Sequence, residues 1–136
     1  MSFHGVLTNV KYDQRVLTSN DGKVHGASFD MTDHQRWKAV YKAISDVKQV
    51  TIQNDNTGDF LAWDDNMNLV MRGTGYLWNL KTINTGLRLI LAFQVPPSAN
   101  AEGLYTLQLQ DDQTTMSLEY QTEPLTKAQQ WIVEPK

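Results

Sequence analysis

The chain has 136 residues, of which 40 % are hydrophobic and 20 % charged, and a formal net charge of −3 at pH 7. This length supports one hydrophobic core and predicts a single domain over 1–136. The acidic balance, without a basic stripe, argues against nucleic-acid binding. The longest apolar run, over 87–93, is too short to cross a bilayer, so we expect no membrane insertion.

The segment "MSFHGVLTNVKYDQ" at the start of the chain has neither the basic nor the apolar region of a secretory signal. The chain also contains no cysteine, so disulfide bonds and thiol catalysis are excluded. Both features fit a reducing compartment. We therefore expect a cytoplasmic protein.

Short segments rich in β-branched, aliphatic and aromatic residues alternate along the chain with clusters of Asn, Asp, Gly and Ser, which predicts strands. The twelve predicted strands are, in chain order, "GVLTNVKY", "RVLTS", "KVHGASF", "RWKAVYKA", "QVTIQN", "DFLAW", "NLVMR", "YLWNLKTI", "LRLILAFQ", "LYTLQLQ", "TMSLEYQ" and "QQWIVEP". One alternative stays open for 33–50, where Trp37, Val40, Tyr41 and Ile44 also have helical spacing.

Three tryptophans, at positions 37, 78 and 131, occupy equivalent places in this pattern. Each follows a hairpin with an Asp-rich or Asn-rich tip, and another strand precedes each hairpin. Three copies of four strands predict an all-β β-trefoil, in which six strands close a barrel and three hairpins cap one end. The repeats cover approximately 1–46, 47–85 and 86–136. Trp37 and Trp131 are expected in the core, either at the pseudo-threefold axis or beneath their own hairpins.

The fourth tryptophan, Trp63, makes the second repeat different from the other two. At its place we align Thr18 or Ser19 in the first repeat and Gln110 in the third. A symmetric core does not require a large ring in one copy out of three. Trp63 either stacks on the C–H face of a sugar ring or covers the hairpin as a lid.

Polar groups near Trp63 support the first alternative. Asp64, Asn66 and the backbone N–H of Gly75 are candidates to bind sugar hydroxyls. A single sugar site of this kind binds weakly and needs multivalency to matter. Because crosslinking of glycans needs two sites, the sequence leaves open a homodimer or a second, weaker site on the same chain.

The segments "QRW" and "QQW" match the Gln-x-Trp motif that ends the repeats of ricin-B-like β-trefoils, whereas the middle repeat reads "YLW". The whole chain resembles the small, cysteine-free β-trefoil proteins of mushrooms. That group contains lectins and also protease inhibitors, the mycocypins and mycospins. The resemblance implies either function on the same fold.

The middle repeat is similar to that of the mushroom fruiting-body lectins that bind fucosylated chitobiose. Their site has a Trp on the first hairpin strand, an apolar residue on the second, and Tyr-Val-Trp at the closing strand. Trp63, Met71 and the run Tyr76, Leu77 and Trp78 stand in the same order here. This resemblance implies a non-catalytic lectin for glycans that contain GlcNAc or fucose, with a role in defence.

The protease-inhibitor alternative would act through an exposed loop. Two candidates are the hairpin over 17–25, which would present Asn20 or Lys23, and the loop over 95–103, which Pro96 and Pro97 hold extended. Either loop would enter a protease cleft.

No constellation for catalysis or metal binding is visible in the sequence. His4, His25 and His34 lack ligand spacing. The segment "DDNMNLVMRGTG" begins like a calcium loop but has Leu69 where glycine is needed and Gly75 where the closing glutamate belongs. We expect no enzyme activity, no metal and no cofactor, with glycans as the partners.

Overall fold

The computed structural model describes residues 2–44, 47–97, 104–121 and 124–136. The strands in these ranges are β1 (Ser2–Asn9), β2 (Arg15–Asn20), β3 (Lys23–Ser28), β4 (Trp37–Ile44), β5 (Val47–Asn54), β6 (Phe60–Trp63), β7 (Leu69–Arg72), β8 (Trp78–Asn84), β9 (Leu89–Val95), β10 (Leu104–Leu109), β11 (Met116–Gln121) and β12 (Trp131–Glu134). Short 3-10 turns, Asp33–Gln35 and Lys127–Gln129, precede β4 and β12. None of the described segments is a helix long and apolar enough to cross a membrane.

Six of the strands close a barrel. Antiparallel pairing runs from β1 to β4, β5, β8, β9 and β12, and β12 pairs with β1 again. The other six strands form the hairpins β2–β3, β6–β7 and β10–β11. Ring closure satisfies the strand edges that an open sheet would leave unpaired. The predicted β-trefoil is confirmed. In the segment 33–50, for which a helix was the alternative, the described residues include the first 3-10 turn, β4 and the start of β5.

The first strand ends earlier than the sequence pattern predicts. Its apolar alternation continues to Tyr12, but β1 ends at Asn9. The side-chain oxygen of Asn9 accepts hydrogen bonds from the backbone N–H groups of Lys11 and Tyr12, at 3.1 and 3.0 Å. This local bond turns the backbone out of the sheet, which is how asparagine commonly ends a strand.

The tryptophans of the three repeats hold the centre of the molecule. Each is fully buried, and each indole N–H donates to a carbonyl of its own hairpin: Trp37 to Leu17 at 2.9 Å, Trp78 to Leu61 at 2.9 Å and Trp131 to Leu107 at 3.4 Å. The core positions predicted for Trp37 and Trp131 are therefore confirmed. Of the two arrangements considered, the rings lie beneath their own hairpins.

The glutamine of the Gln-x-Trp motif holds the turn before the closing strand. Gln35 is fully buried, accepts a hydrogen bond from the backbone N–H of Asp30 at 2.7 Å and donates to the carbonyl of Ser28 at 2.7 Å. Gln129 caps its own turn by accepting from the N–H of Thr126 at 3.0 Å. The motif is therefore structural in the first and third repeats.

Candidate functional site

The middle repeat reaches its closing strand by a shorter path. Residues 73–77 separate β7 from β8, whereas 29–36 separate β3 from β4. No 3-10 turn forms within 73–77, and Tyr76 stands at the place of Gln35 and Gln129. An aromatic side chain thus replaces the buried amide at this position. Its ring cannot form the hydrogen bonds by which Gln35 and Gln129 hold the turns of the other two repeats.

A second symmetry-breaking residue lies beside it. Asn9 and Asn54 each donate through Nδ2 to the carbonyl before the motif glutamine, Asn9 to Ala128 at 2.9 Å and Asn54 to His34 at 3.0 Å. Both asparagines pair in register with a core tryptophan. In the β8–β9 pair Asn79 faces Gln94, so the residue opposite Trp78 is Val95. Valine therefore stands where Asn9 and Asn54 stand in the other repeats, and its side chain has no donor for the equivalent hydrogen bond.

Trp63 packs against Tyr76 and Trp78 of this repeat. Its ring lies edge-on to Tyr76, with centroids 4.9 Å apart and an interplanar angle of 82°. It makes a second perpendicular contact with Trp78, at 5.0 Å and 89°. We call these three residues the Trp63 aromatic group. Because Trp63 is partly buried and Trp78 fully buried, any ligand surface belongs to Trp63 and Tyr76, and Trp78 supports them from below.

The hairpin register corrects one predicted equivalence. Counting two residues onward from each carbonyl that accepts an indole N–H aligns Trp63 with Ser19 and Leu109. The alignment of Gln110 with Trp63 was therefore wrong by one residue. Leu109 is 1 % exposed and Ser19 6 %. Trp63 thus replaces a core-facing position, and its larger ring extends from the core to the surface.

Asp64 is committed to its own turn. Its Oδ1 accepts hydrogen bonds from the N–H groups of Asn66 and Asn68, both at 2.9 Å, and its Oδ2 accepts from Nδ2 of Asn68 at 3.2 Å. These bonds, first among them the one from the backbone of Asn68, hold the pKa of Asp64 below its usual value. Met67 completes the turn with a φ of 59°. Both oxygens of the carboxylate are therefore used to shape the hairpin tip rather than to bind a ligand.

The remaining predicted residues divide into two places. Met71 and Leu77 are partly buried, and Met71 pairs with Leu61 across the hairpin. Gly75 is exposed, and a Cβ there would lie 2.9 Å from Cγ2 of Thr51. Asn66 is exposed too, but it lines a cleft shared with β10 and β11. Gly75 and Leu77 are therefore the sequence neighbours of Tyr76, and Met71 lies on the strand paired with that of Trp63. Asn66 lines a different cleft.

Two loops matter for the inhibitor alternative. The hairpin over 17–25 turns at Asp21 and Gly22, which have φ values of 53° and 75°, and its tip is exposed. In the loop over 95–103, residues 98–103 lie outside the described part of the chain.

Within the described ranges, no group of three or more His, Asp or Glu residues has the geometry to hold a metal ion. The histidines bond to separate partners: His4 to Asp55, His25 to the carbonyl of Lys23, and His34 to the carbonyl of Ser19.

Comparison with solved structures places the chain among β-trefoil proteins. A ricin B-like lectin of Macrolepiota procera in complex with lactose superposes with a TM-score of 0.73 at 17 % identity, covering 98 % of this chain and 96 % of that one. SeviL bound to asialo-GM1 saccharide gives 0.72 at 14 % identity, with 99 % and 98 % coverage.

A mosquitocidal holotoxin gives a TM-score of 0.76 at 17 % identity, covering 100 % of this chain, which spans 17 % of that longer one. At these identities the likeness shows the fold. No protein-family model and no curated protein sequence matches the chain.

Proposed function

We propose that the protein is a lectin that binds a glycan, without catalysis, through the exposed part of the Trp63 aromatic group. The observation that carries the proposal is the perpendicular packing of Trp63 on Tyr76 and Trp78, at centroid distances of 4.9 and 5.0 Å. This packing occurs in the repeat whose loop lacks the glutamine turn.

The packing matters because it fixes the ring before a ligand arrives. A side chain held by two neighbours loses little conformational freedom on binding, which lowers the entropic cost of association. The aromatic face then offers apolar contact for the C–H groups of a sugar. Backbone and side-chain polar groups of the loop 73–77 offer hydrogen bonds to hydroxyls.

The structural neighbours support the same class of ligand by analogy. Two of them are in complex with saccharides, the Macrolepiota procera lectin with lactose and SeviL with asialo-GM1 saccharide. Fold analogy alone does not transfer a specificity. We propose a glycan containing GlcNAc or fucose because Trp63, Met71 and the run 76–78 stand in the order of the fucosylated-chitobiose lectins. A defence role in the cytoplasm follows from the same resemblance.

A glycan array tests the proposal, with the labelled wild-type protein run beside Trp63→Ala. We expect signal on neutral core structures bearing fucose or GlcNAc, and a much weaker signal in the variant. Trp131→Phe is the matched control because it weakens a core tryptophan in another repeat without touching the site. Retained binding in Trp131→Phe and loss in Trp63→Ala would separate recognition from stability.

Two results would contradict the proposal. Equal binding by wild type and Trp63→Ala would move the site away from the aromatic group. An array without signal, followed by inhibition of a protease that is lost on changing Lys23, would favour the inhibitor function through the hairpin over 17–25.

A further inference from the structure

A second concavity lies between the second and third hairpins. We call it the inter-hairpin cleft; its volume is about 470 Å³. One wall is the tip of the β6–β7 hairpin, residues 65–69, and the other comes from the β10–β11 hairpin, Tyr105 and residues 116–119. Of the residues predicted to bind sugar, Asn66 lines this cleft, whereas the Trp63 aromatic group does not.

The hairpins differ in their hydrogen bonds to one another. The first and third are joined directly: Gly26 N–H donates to the carbonyl of Thr114 at 2.8 Å, and Nε of Arg15 donates to the carbonyl of Gln113 at 2.8 Å. At the second hairpin, the carboxylate of Asp64 is occupied by its own turn. Its tip lines the cleft together with residues of β11.

The walls of the cleft carry the groups that a sugar ring requires. The ring of Tyr105 is held edge-on by Tyr120, with centroids 5.8 Å apart at 78°. Nε2 of Gln110 donates to Oε2 of Glu119 at 3.1 Å and also bonds to Ser117. A carboxylate has acceptor capacity for further bonds, so Glu119 is oriented but not saturated.

The opposite wall supplies amides. Asn66 and Asn68 both line the cleft. Their backbone N–H groups are used in the turn at Asp64, and so is Nδ2 of Asn68, which leaves the Oδ1 of Asn68 and the amide of Asn66 to face a ligand. An amide side chain offers both donors and an acceptor. A ring with hydroxyls on its edge and C–H groups on its face would thus meet an aromatic ring on one wall and amides on the other.

Charge narrows the class of ligand. The charged residues among those lining the cleft are Asp65 and Glu119, and the described lining contains no Lys, Arg or His. Two carboxylates repel an anion, so a sialylated, sulfated or phosphorylated sugar is disfavoured. The cleft suits a neutral sugar.

We propose that the inter-hairpin cleft is a second carbohydrate site, for a neutral saccharide, on the same chain. The proposal rests on the lectin function proposed above and extends it. With one site in the second repeat and another between the second and third hairpins, one protomer crosslinks glycans without forming a dimer.

The test is an NMR titration of the isotope-labelled full chain with three probes in turn: N-acetylglucosamine, L-fucose and lactose. We expect at least one probe to shift the backbone amides of Asn68 and Ser117 in a saturable way. The shifts should persist in Trp63→Ala. They should require about tenfold more sugar in the double variant Asn66→Ala, Glu119→Ala, whose changes lie on the cleft surface. Sialylated lactose should bind the cleft more weakly than lactose.

Each result decides between the two sites. Shifts at the cleft without shifts at Tyr76 and Leu77 would support the cleft and overturn the aromatic site. Shifts confined to Tyr76 and Leu77, or cleft shifts lost in Trp63→Ala, would overturn the cleft and leave the lectin function intact. Absence of saturable shifts with all three probes at tens of millimolar would overturn the cleft proposal. The array result then decides the lectin function separately.

Discussion

The ring of Trp63 stands at 89° to the ring of Trp78, with centroids 5.0 Å apart. One of these tryptophans belongs to the core and the other reaches the surface, so the contact links the fold to the proposed ligand. The hydrogen bond from Trp78 to the carbonyl of Leu61, at 2.9 Å, fixes the lower ring. The orientation of Trp63 therefore depends on a residue that no ligand touches.

Replacing Trp63 with alanine should lower stability as well as remove binding at the Trp63 aromatic group. The ring makes two edge-to-face contacts, each worth about 0.5–1.5 kcal/mol beyond area burial. With its partial burial, we expect the free energy of unfolding to fall by about 2–4 kcal/mol in urea titrations. An unchanged value would mean that the ring does not pack as described. Trp63→Phe should recover part of both stability and binding.

Replacing Trp78 with phenylalanine should affect stability and binding together. The change removes the indole N–H and leaves the buried carbonyl of Leu61 without its donor, which costs about 1–3 kcal/mol. Trp37→Phe removes the same bond, to Leu17, in the first repeat. We expect similar losses of unfolding free energy in both variants but reduced glycan affinity in Trp78→Phe alone. Equal affinities in isothermal titration would argue against support of Trp63 by Trp78.

Changing Tyr76 to glutamine restores the motif residue of the other repeats but not their structure. The segment 73–77 has no 3-10 turn for the amide to cap. Trp63 would lose one of its two neighbouring rings, and we expect affinity to fall several-fold because each such pair contributes about 1 kcal/mol. Tyr76→Phe keeps the ring and should bind like wild type. Weak binding by Tyr76→Phe would instead indicate a role for the hydroxyl.

Gly75 keeps the loop close to β5. In Gly75→Ala the new Cβ would lie 2.9 Å from Cγ2 of Thr51, so either the loop or the threonine must move. We expect weaker glycan binding with a small change in stability, measured by titration calorimetry and thermal unfolding. Thr51→Ser removes the obstructing methyl group, and the double variant should regain affinity. Without such recovery, the effect of Gly75→Ala would have another cause.

The hairpin tip at Asp64 should respond to acid. Hydrogen bonds from Asn68 and Asn66 lower the folded-state pKa of Asp64 below its usual 3.8. The ionised carboxylate therefore stabilises the folded state above that usual value, and the stabilisation is lost as pH falls through the lower, folded-state pKa. NMR titration of the Asp64 carboxyl carbon should give a midpoint below 3.8. Asp64→Asn should lose less stability than wild type on acidification over this range.

The fold could be predicted from the sequence because its signals are local and repeated. Trp37, Trp78 and Trp131 stand at the same place in three four-strand units, and each hairpin has turn residues at its tip. The strand boundaries were less certain because apolar alternation continues past Asn9, where a side-chain bond ends the strand. An alternating pattern does not report such a bond.

Less of the candidate site than of the fold could be predicted from the sequence. Its aromatic residues are visible as a departure from the repeat, but the equivalence of Trp63 and Leu109 needs the indole hydrogen bonds to define the register. The hydrogen bonds between the Asp64 carboxylate and its own turn could not be predicted either, because they depend on backbone geometry. The inter-hairpin cleft joins residues 65–69 to 105 and 116–119, which no local pattern connects.

The short strands of the second hairpin have a consequence for motion. Strands β6 and β7 have four residues each, whereas the strands of the other two hairpins have six. Fewer ladder bonds lower the free energy of local opening, so amide hydrogens of β6 and β7 should exchange with solvent faster than those of β2 and β10. A bound sugar would slow that exchange, because it favours the closed hairpin over the open one.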